Sequence, residues 1–412
     1  MRELKVVQIT HQRTPCSYYI FTNYELVSLY RIGYMEHKIK FYPVNNADCT
    51  LIKLANGKTI IVDCQFISNL NDDNGNQIMF DVKADLLKEL KKDSNGRPFV
   101  DIFINTHPHK DHCLGFGNHF YTGSVDEYDA NKDENKIVIG ELWVTPIIMG
   151  NEECEDAEDI RKEAKRRRKL YKDDETYSGE YGDYLRIIGY DKDKEFDKRY
   201  SYIPGTTVSS ANGGKLEWLD MFIHAPFKED IENSKKSKDK NLASIVIQYS
   251  FKIQGYTTPK CKVLIGGDAE HDVWQHILDN NEKEENLKWN IFLAPHHCSW
   301  TFFNDTDKKD DVAPSADEIL KNQLGEQSYI IASSKEIKAE DDDPPCEQAK
   351  KEYKIRLHTS DNFRNTAVDH VVNNIPQPIV FYIDEYGKRK EENNESTAAS
   401  STLKRPAPRA GI

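Results

Sequence analysis

The chain has 412 residues, enough for one large domain or two ordinary ones, and either would bury a substantial core. Sixty-nine acidic side chains against 56 basic ones leave a formal charge of −13, which argues against broad electrostatic capture of nucleic acid but leaves room for a local basic groove. The start, Met1-Arg2-Glu3-Leu4-Lys5, lacks a signal-peptide pattern, and no apolar run approaches the roughly 20 residues a membrane span needs, so a soluble cytoplasmic protein without membrane contact is expected. The eight cysteines are scattered with no CxxC pair, which points to reduced, packed thiols.

Residues 1–37, with Ser17-Tyr18-Tyr19-Ile20-Phe21, read as an N-terminal extension that adds a strand pair to a sheet edge or serves as a protein interface. Strands are expected over 39–42, 49–54 and 59–63, the last two joined by a turn at Asn56-Gly57. A helix follows near 82–92. The apolar run 99–105 reads as a buried strand that delivers Thr106-His107-Pro108-His109-Lys110-Asp111-His112 into the loop beyond its end. After a strand at 137–144 the chain turns highly charged, and about 151–205 is expected to be an exposed helical insertion. Strands resume at 216–224, 243–249 and 262–268, with a helix at 270–278 and the strand 289–294 ending at Pro295-His296-His297. A helix at 316–323 and strands at 328–332 and 379–384 close a domain spanning 38–387. The composition of 388–412 cannot bury enough apolar area to order itself and reads as a disordered tail.

Two histidines spaced i and i+2 in extended backbone point the same way, and Asp111 and His112 then turn towards the same cavity, so one loop offers ligands to two neighbouring ions. Nitrogen and carboxylate donors without cysteine suit two divalent metals, zinc by default, with manganese or iron as alternatives. Asp268 follows Gly266-Gly267 at the end of an apolar strand, where glycines permit close approach, and is expected to bridge the ions rather than merely cap the next helix. His296 and His297 end another apolar strand. Adjacent side chains diverge, so one of the two is expected to ligate and the other to hold substrate or a neighbouring carboxylate.

Asp63 at a strand end, the loop of His107, His109, Asp111 and His112, then Gly267-Asp268 and His296-His297-Cys298-Ser299 resemble the ordered motifs of the metallo-β-lactamase superfamily. Within it the chain looks most like the hydrolase domain of ComEC-type competence proteins. Val44 to Cys49, Asn241-Leu242-Ala243-Ser244 and Ser328 to Ser333 extend the resemblance over about 39–384. The resemblance implies an α/β fold, a four-layer αββα sandwich carrying charged helical insertions. It also implies that His107 and His109 bind one metal, Asp111 and His112 the other, that Asp268 bridges, and that His296 or His297 completes the second site. Asp63 would orient the histidine loop without touching metal. The chain departs from the family in having Asn45-Asn46-Ala47-Asp48 for Gly-Gln-Gly-Asp and Cys298 for a glycine. The additional ligand histidine that many superfamily members place between the second and fourth motifs has no clear counterpart: His119 is too near the loop, and His224 sits where relatives carry a non-ligand. The first metal is therefore left short of a ligand.

The chemistry expected is hydrolysis by a metal-activated hydroxide, with a bound water acidified from about 15.7 towards about 7 and Asp111 accepting or steering the proton. The resemblance implies a phosphodiesterase or nuclease acting on DNA. Lys165 to Lys172, with Tyr171 alongside, is the one strongly basic run that could track a phosphate backbone, yet it lies among acidic residues and equally suits a solvated, ion-paired helix. Two alternatives are a hydrolase of a small phosphodiester or ester such as a nucleotide signal, and a catalytically weak, metal-stabilised module that holds a protein partner through the charged insertion or the N-terminal extension.

Overall fold

The computed structural model describes residues 36–150, 155–191, 194–306, 311–340 and 343–390, together with the backbone of Phe21–Thr22 and Glu25–Leu26. These last two strands pair with each other, and among the described residues they join neither main sheet. The rest of the expected N-terminal extension and residues 391–412 lie outside the described residues.

The chain opens with three antiparallel strands, β1 (His37–Phe41), β2 (Thr50–Lys53) and β3 (Thr59–Val62). The expected turn at Asn56-Gly57 links β2 and β3, with Gly57 at φ +81°. Helix α1 (Val82–Glu89) starts where the Asp81 carboxylate accepts the Ala84 N–H. It stops short of the expected 92 because Lys91–Lys92 pairs with the next strand. That strand, β4 (Pro98–Asn105), lies parallel between β3 and β5 (Val138–Val144). A parallel interior strand is covered on both faces, which accounts for its unbroken apolar run.

The highly charged stretch departs from expectation. Helix α2 (Glu155–Asp173) is a structural layer, not an exposed insertion: Ala157, Ile160, Ala164 and Tyr171 are fully buried on one stripe. Burying Ile160 alone contributes about 1.5–3 kcal/mol. Their spacing of three and four places them on one helical face, but charged residues between them mask the period in a composition count. The same stretch supplies β6 (Tyr184–Ile188) and β7 (Ser201–Tyr202), so part of the presumed insertion is sheet.

The second sheet follows: β8 (Thr207–Val208), β9 (Leu219–Ala225), β10 (Val246–Phe251), β11 (Cys261–Ile265), β12 (Ile291–Leu293), β13 (Tyr329–Ala332) and β14 (Phe363–Asn365), side by side in that order. Between its strands come helices α3 (Lys228–Ser237), α4 (His271–Asn280), α5 (Pro314–Lys321) and α6 (Glu347–Arg356). The chain then returns to the first sheet as β15 (Ile379–Asp384) beside β1, and β16 (Gly387–Lys390) extends that sheet three residues past the expected domain boundary. The first sheet runs β7-β6-β5-β4-β3-β2-β1-β15-β16.

The fold is mixed α/β with three apolar layers. Ile39, Ile52, Ile104 and Phe381 from the first sheet meet Ile223, Ile247, Val263 and Leu293 from the second in a shared core. The outer face of the first sheet packs on α1 and α2 through Leu86, Ile160 and Phe103. The outer face of the second packs on α4, α5 and α6 through Trp274, Ile319 and Tyr353. Among the described residues no helix is long and apolar enough to cross a membrane. Among the described residues six cysteines, including Cys49, Cys64 and Cys113, are buried, while Cys16 and Cys154 lie outside the described residues.

Candidate metal centre

Loops leaving β1, β3, β4, β11 and β12 converge beyond the carboxyl ends of the strands, the usual place for a site in an α/β sheet. All the residues expected to form the site come together there. Asp63, fully buried just after β3, accepts the Thr106 N–H (2.7 Å) and the Thr106 hydroxyl (2.6 Å), and pairs with His112 Nδ1 at 2.8 Å. It therefore holds the histidine loop at its root and fixes the His112 ring so that Nε2 faces the cavity. Asn105 adds a second brace, donating from Nδ2 to the carbonyls of His107 (3.0 Å) and His112 (3.2 Å). Sequence reasoning passed over Asn105 and Thr106, although both lie within the strand-to-loop junction it identified.

Asp268 is the centre of the cluster. The left-handed Gly267 before it has φ +52°, and a β-carbon there would lie 2.6 Å from the Thr106 hydroxyl, so the close approach expected of this glycine is met. One carboxylate oxygen, Oδ1, faces His112 Nε2 at 3.0 Å and His297 Nε2 at 3.6 Å. The other, Oδ2, faces His107 Nε2 at 3.5 Å and His296 Nε2 at 3.7 Å. Neither oxygen accepts a hydrogen bond, and His112 Nε2 and both ring nitrogens of His297 are likewise buried without hydrogen-bond partners. Close contacts without hydrogen-bond alignment place these atoms around a common space.

Among the described residues two groups have the compactness of metal sites: Asp48, His112, Asp268 and His297, all buried, and His107, His109 and Asp268. The residues fit divalent cations, because buried nitrogen and carboxylate donors left unsatisfied by the protein are what such an ion coordinates. The described Asp/His cluster can hold a metal ion. Asp48 was not anticipated as a member. It ends the Asn45-Asn46-Ala47 loop after β1, and its N–H donates to the Asp111 carbonyl at 3.2 Å. The available signal was its position as the one residue of that segment shared with the Gly-Gln-Gly-Asp pattern. Two expected ligands stand outside both groups: His296, and Asp111, whose side chain is 35% exposed with Oδ2 3.3 Å from His297 Nε2.

Electrostatics match the crowding. Burial lifts the Asp268 pKa, but the surrounding His112, His297, His296 and His107 outweigh it and hold the carboxyl well below its ordinary range. Burial disfavours the His112 cation, yet Asp268 and Asp63 overcome that and raise the ring well above its usual value. His297 is raised to about 10 by Asp268, Asp111 and Asp48 acting against burial. His107 goes the other way, driven down by burial and then by His112.

His296, His297 and Cys298 have φ of 50°, 55° and 71°, three successive left-handed residues without a glycine. Each costs about 1–2 kcal/mol, and such strain persists only where the surroundings fix it. Here His296 N–H donates to the Gly267 carbonyl (3.1 Å) and Cys346 N–H to the Cys298 carbonyl (2.9 Å). The conformation also explains why a glycine suits the Cys298 position. The two other histidines weighed from the sequence stay apart: the His119 ring lies tilted against Phe66 (4.3 Å between centroids), and His224 Nε2 pairs with the Asn286 carbonyl at 3.0 Å.

The arginines of the basic run on α2 are committed elsewhere, while Lys165, Lys169 and Lys172 are exposed. Arg167 is buried and donates to Glu163 (2.7 Å) and to the carbonyls of Tyr184 (2.8 Å) and Ile139 (3.0 Å). Arg166 bridges Glu163 and Asp183, each at 2.7 Å. Tyr171 is buried in the core and offers no stacking face. Compared with known proteins, the chain matches no family model and no curated protein sequence.

Proposed function

We propose that the protein is a metal-dependent hydrolase of the metallo-β-lactamase kind that cleaves a phosphodiester, with two zinc or manganese ions held in the cluster around Asp268. One observation carries the reading: a buried carboxylate whose two oxygens accept no hydrogen bond and each face a different set of histidines. An enclosed carboxylate without hydrogen bonds is costly, and divalent cations held between Asp268 and the histidines around it would satisfy both oxygens. The two-sheet sandwich with helices on both outer faces supports the same family reading.

Such ions supply Lewis acidity and lower the pKa of water from about 15.7 towards about 7. The chain's own residues do the rest. Asp63, through Thr106 and His112, keeps the histidine loop in place during turnover. Asp111, partly exposed beside His297, would accept or steer the proton of the attacking water. Burial of His107, His112 and His297 excludes bulk solvent from the inner side of the cleft.

DNA is the first substrate to test, following the resemblance to the ComEC-type domain. A small nucleotide phosphodiester is the second reading, favoured by the committed arginines and buried Tyr171 of α2 and by the net charge of −13. The test is metal-loaded protein assayed on single-stranded DNA, duplex DNA, RNA and cyclic nucleotides. Cleavage of DNA that weakens steeply with salt supports a nuclease. Turnover of cyclic nucleotides alone supports the second reading, and no metal-dependent cleavage of any of them removes the phosphodiesterase assignment.

A further inference from the structure

The first half-site, His107 and His109 with Asp268, lacks the third histidine that a complete nitrogen set requires, and the sequence offers none between the histidine loop and Asp268 that reaches it. His296 stands outside that compact group of donors but faces the same side of Asp268. Its Nε2 lies 3.7 Å from Asp268 Oδ2, the same oxygen that His107 Nε2 faces at 3.5 Å. Its neighbour His297 instead faces Oδ1, the oxygen shared with His112.

We propose that the adjacent pair His296-His297 is split between the two ions, with His296 completing the site of His107, His109 and Asp268, and His297 serving that of Asp48 and His112. In an extended strand, consecutive side chains point to opposite faces and could not both reach one carboxylate. The left-handed turn at φ 50° and 55° brings both rings to Asp268, with centroids 6.0 Å apart and planes crossed at 73°. Each ring then addresses a different oxygen. His296 is also pre-oriented as a ligand: its Nδ1 pairs with the Thr301 hydroxyl at 3.1 Å, so the proton on that nitrogen has an acceptor and Nε2 is left for the metal. Its side chain is 19% exposed while His297 is fully buried, so the site it completes is the more open of the two.

The inference rests on the metal-site part of the proposed function and not on the substrate. The experiment is titration of chelator-stripped full-length protein with cobalt(II), read by bound metal per chain and by the visible absorption of the bound ion. Wild type should take up two equivalents. His296→Gln should keep one site at wild-type affinity and weaken the other at least about tenfold, with His297→Gln affecting the opposite site. Thr301→Val, which leaves every proposed ligand in place, should weaken only the His296 site, by about 10- to 100-fold, the range found when the partner of a ligating histidine is removed. If His296→Gln still binds two equivalents with unchanged affinity, the assignment is wrong while the metal centre stands. One equivalent in wild type, unchanged by His296→Gln, also overturns the assignment alone, whereas no binding in wild type overturns the metal reading beneath it.

Discussion

Replacing Gly267 with alanine probes the contact that brings the Asp268 loop onto the histidine loop. At φ +52° an alanine costs about 1 kcal/mol more than glycine. Its β-carbon would also sit 2.6 Å from Thr106 Oγ1 and 2.8 Å from Thr106 Cβ. The Thr106 side chain cannot swing aside without breaking its 2.6 Å hydroxyl bond to Asp63, and the 2.7 Å bond from its N–H to the same carboxylate holds its backbone in place, so the overlap adds the cost of overpacking, about 1–3 kcal/mol. The total is about 2–4 kcal/mol, measurable by urea unfolding of the metal-stripped protein as a lower midpoint at constant slope. Gly255→Ala is the control, since Gly255 has φ +86° with nothing within 4 Å of its β-carbon and should show the conformational cost alone. Equal destabilisation by the two substitutions would refute the proposed steric coupling between the loops.

Three further expectations follow from named contacts. Glu89 lies within 3.3 Å of Lys38, Lys40 and Lys53; burial raises its pKa but the three lysines outweigh this and bring it down to about 2. A carboxylate depressed on folding stabilises the protein above its unfolded pKa of about 4.5, and that stability is lost as pH falls towards about 2. After discounting for partial exposure, Glu89→Gln should cost about 1–2 kcal/mol at pH 7, and a gap to wild type that persists undiminished near pH 3 would count against the cluster. Glu163→Ala strands the buried Arg167 and should cost about 3–5 kcal/mol in thermal or urea unfolding, whereas Lys169→Ala on the same helix, exposed and paired only with Asp173 at 3.7 Å, should cost less than about 0.5 kcal/mol. Asp48→Asn should weaken one metal site in calorimetric titration by about tenfold or more without altering the other; unchanged binding would remove Asp48 from the centre.

The parts of the molecule that could be read from sequence are those where one physical rule dominates. The run from His107 to His112 stood out because metal-ligand residues directly follow an apolar strand, and Gly266-Gly267 before Asp268 signalled close approach. Asp63, Asp268, His296 and His297 fall beside that loop as their strand-end positions suggested. The rest depended on rules in competition. On α2, charge hid a buried stripe at 157, 160, 164 and 171, because Glu163 and Arg167 satisfy one another inside the protein and leave a composition count blind to the packing. The placement of both His296 and His297 against Asp268 depends on left-handed backbone at residues that rarely adopt it, which no local propensity announces. Asp48 joins the cluster through a tertiary clamp, with the Ser333 hydroxyl donating to the Ala47 carbonyl at 2.6 Å across 286 residues of sequence.

We propose phosphodiester hydrolysis at a metal held by the cluster around Asp268. Its most direct test is turnover of a chromogenic phosphodiester by chelator-stripped protein before and after zinc or manganese is restored, alongside an Asp268→Ala variant shown to be folded. The account predicts activity only in the metal-restored wild type and neither bound metal pair nor turnover in the variant. Turnover that survives chelation, or that survives in Asp268→Ala, would contradict it.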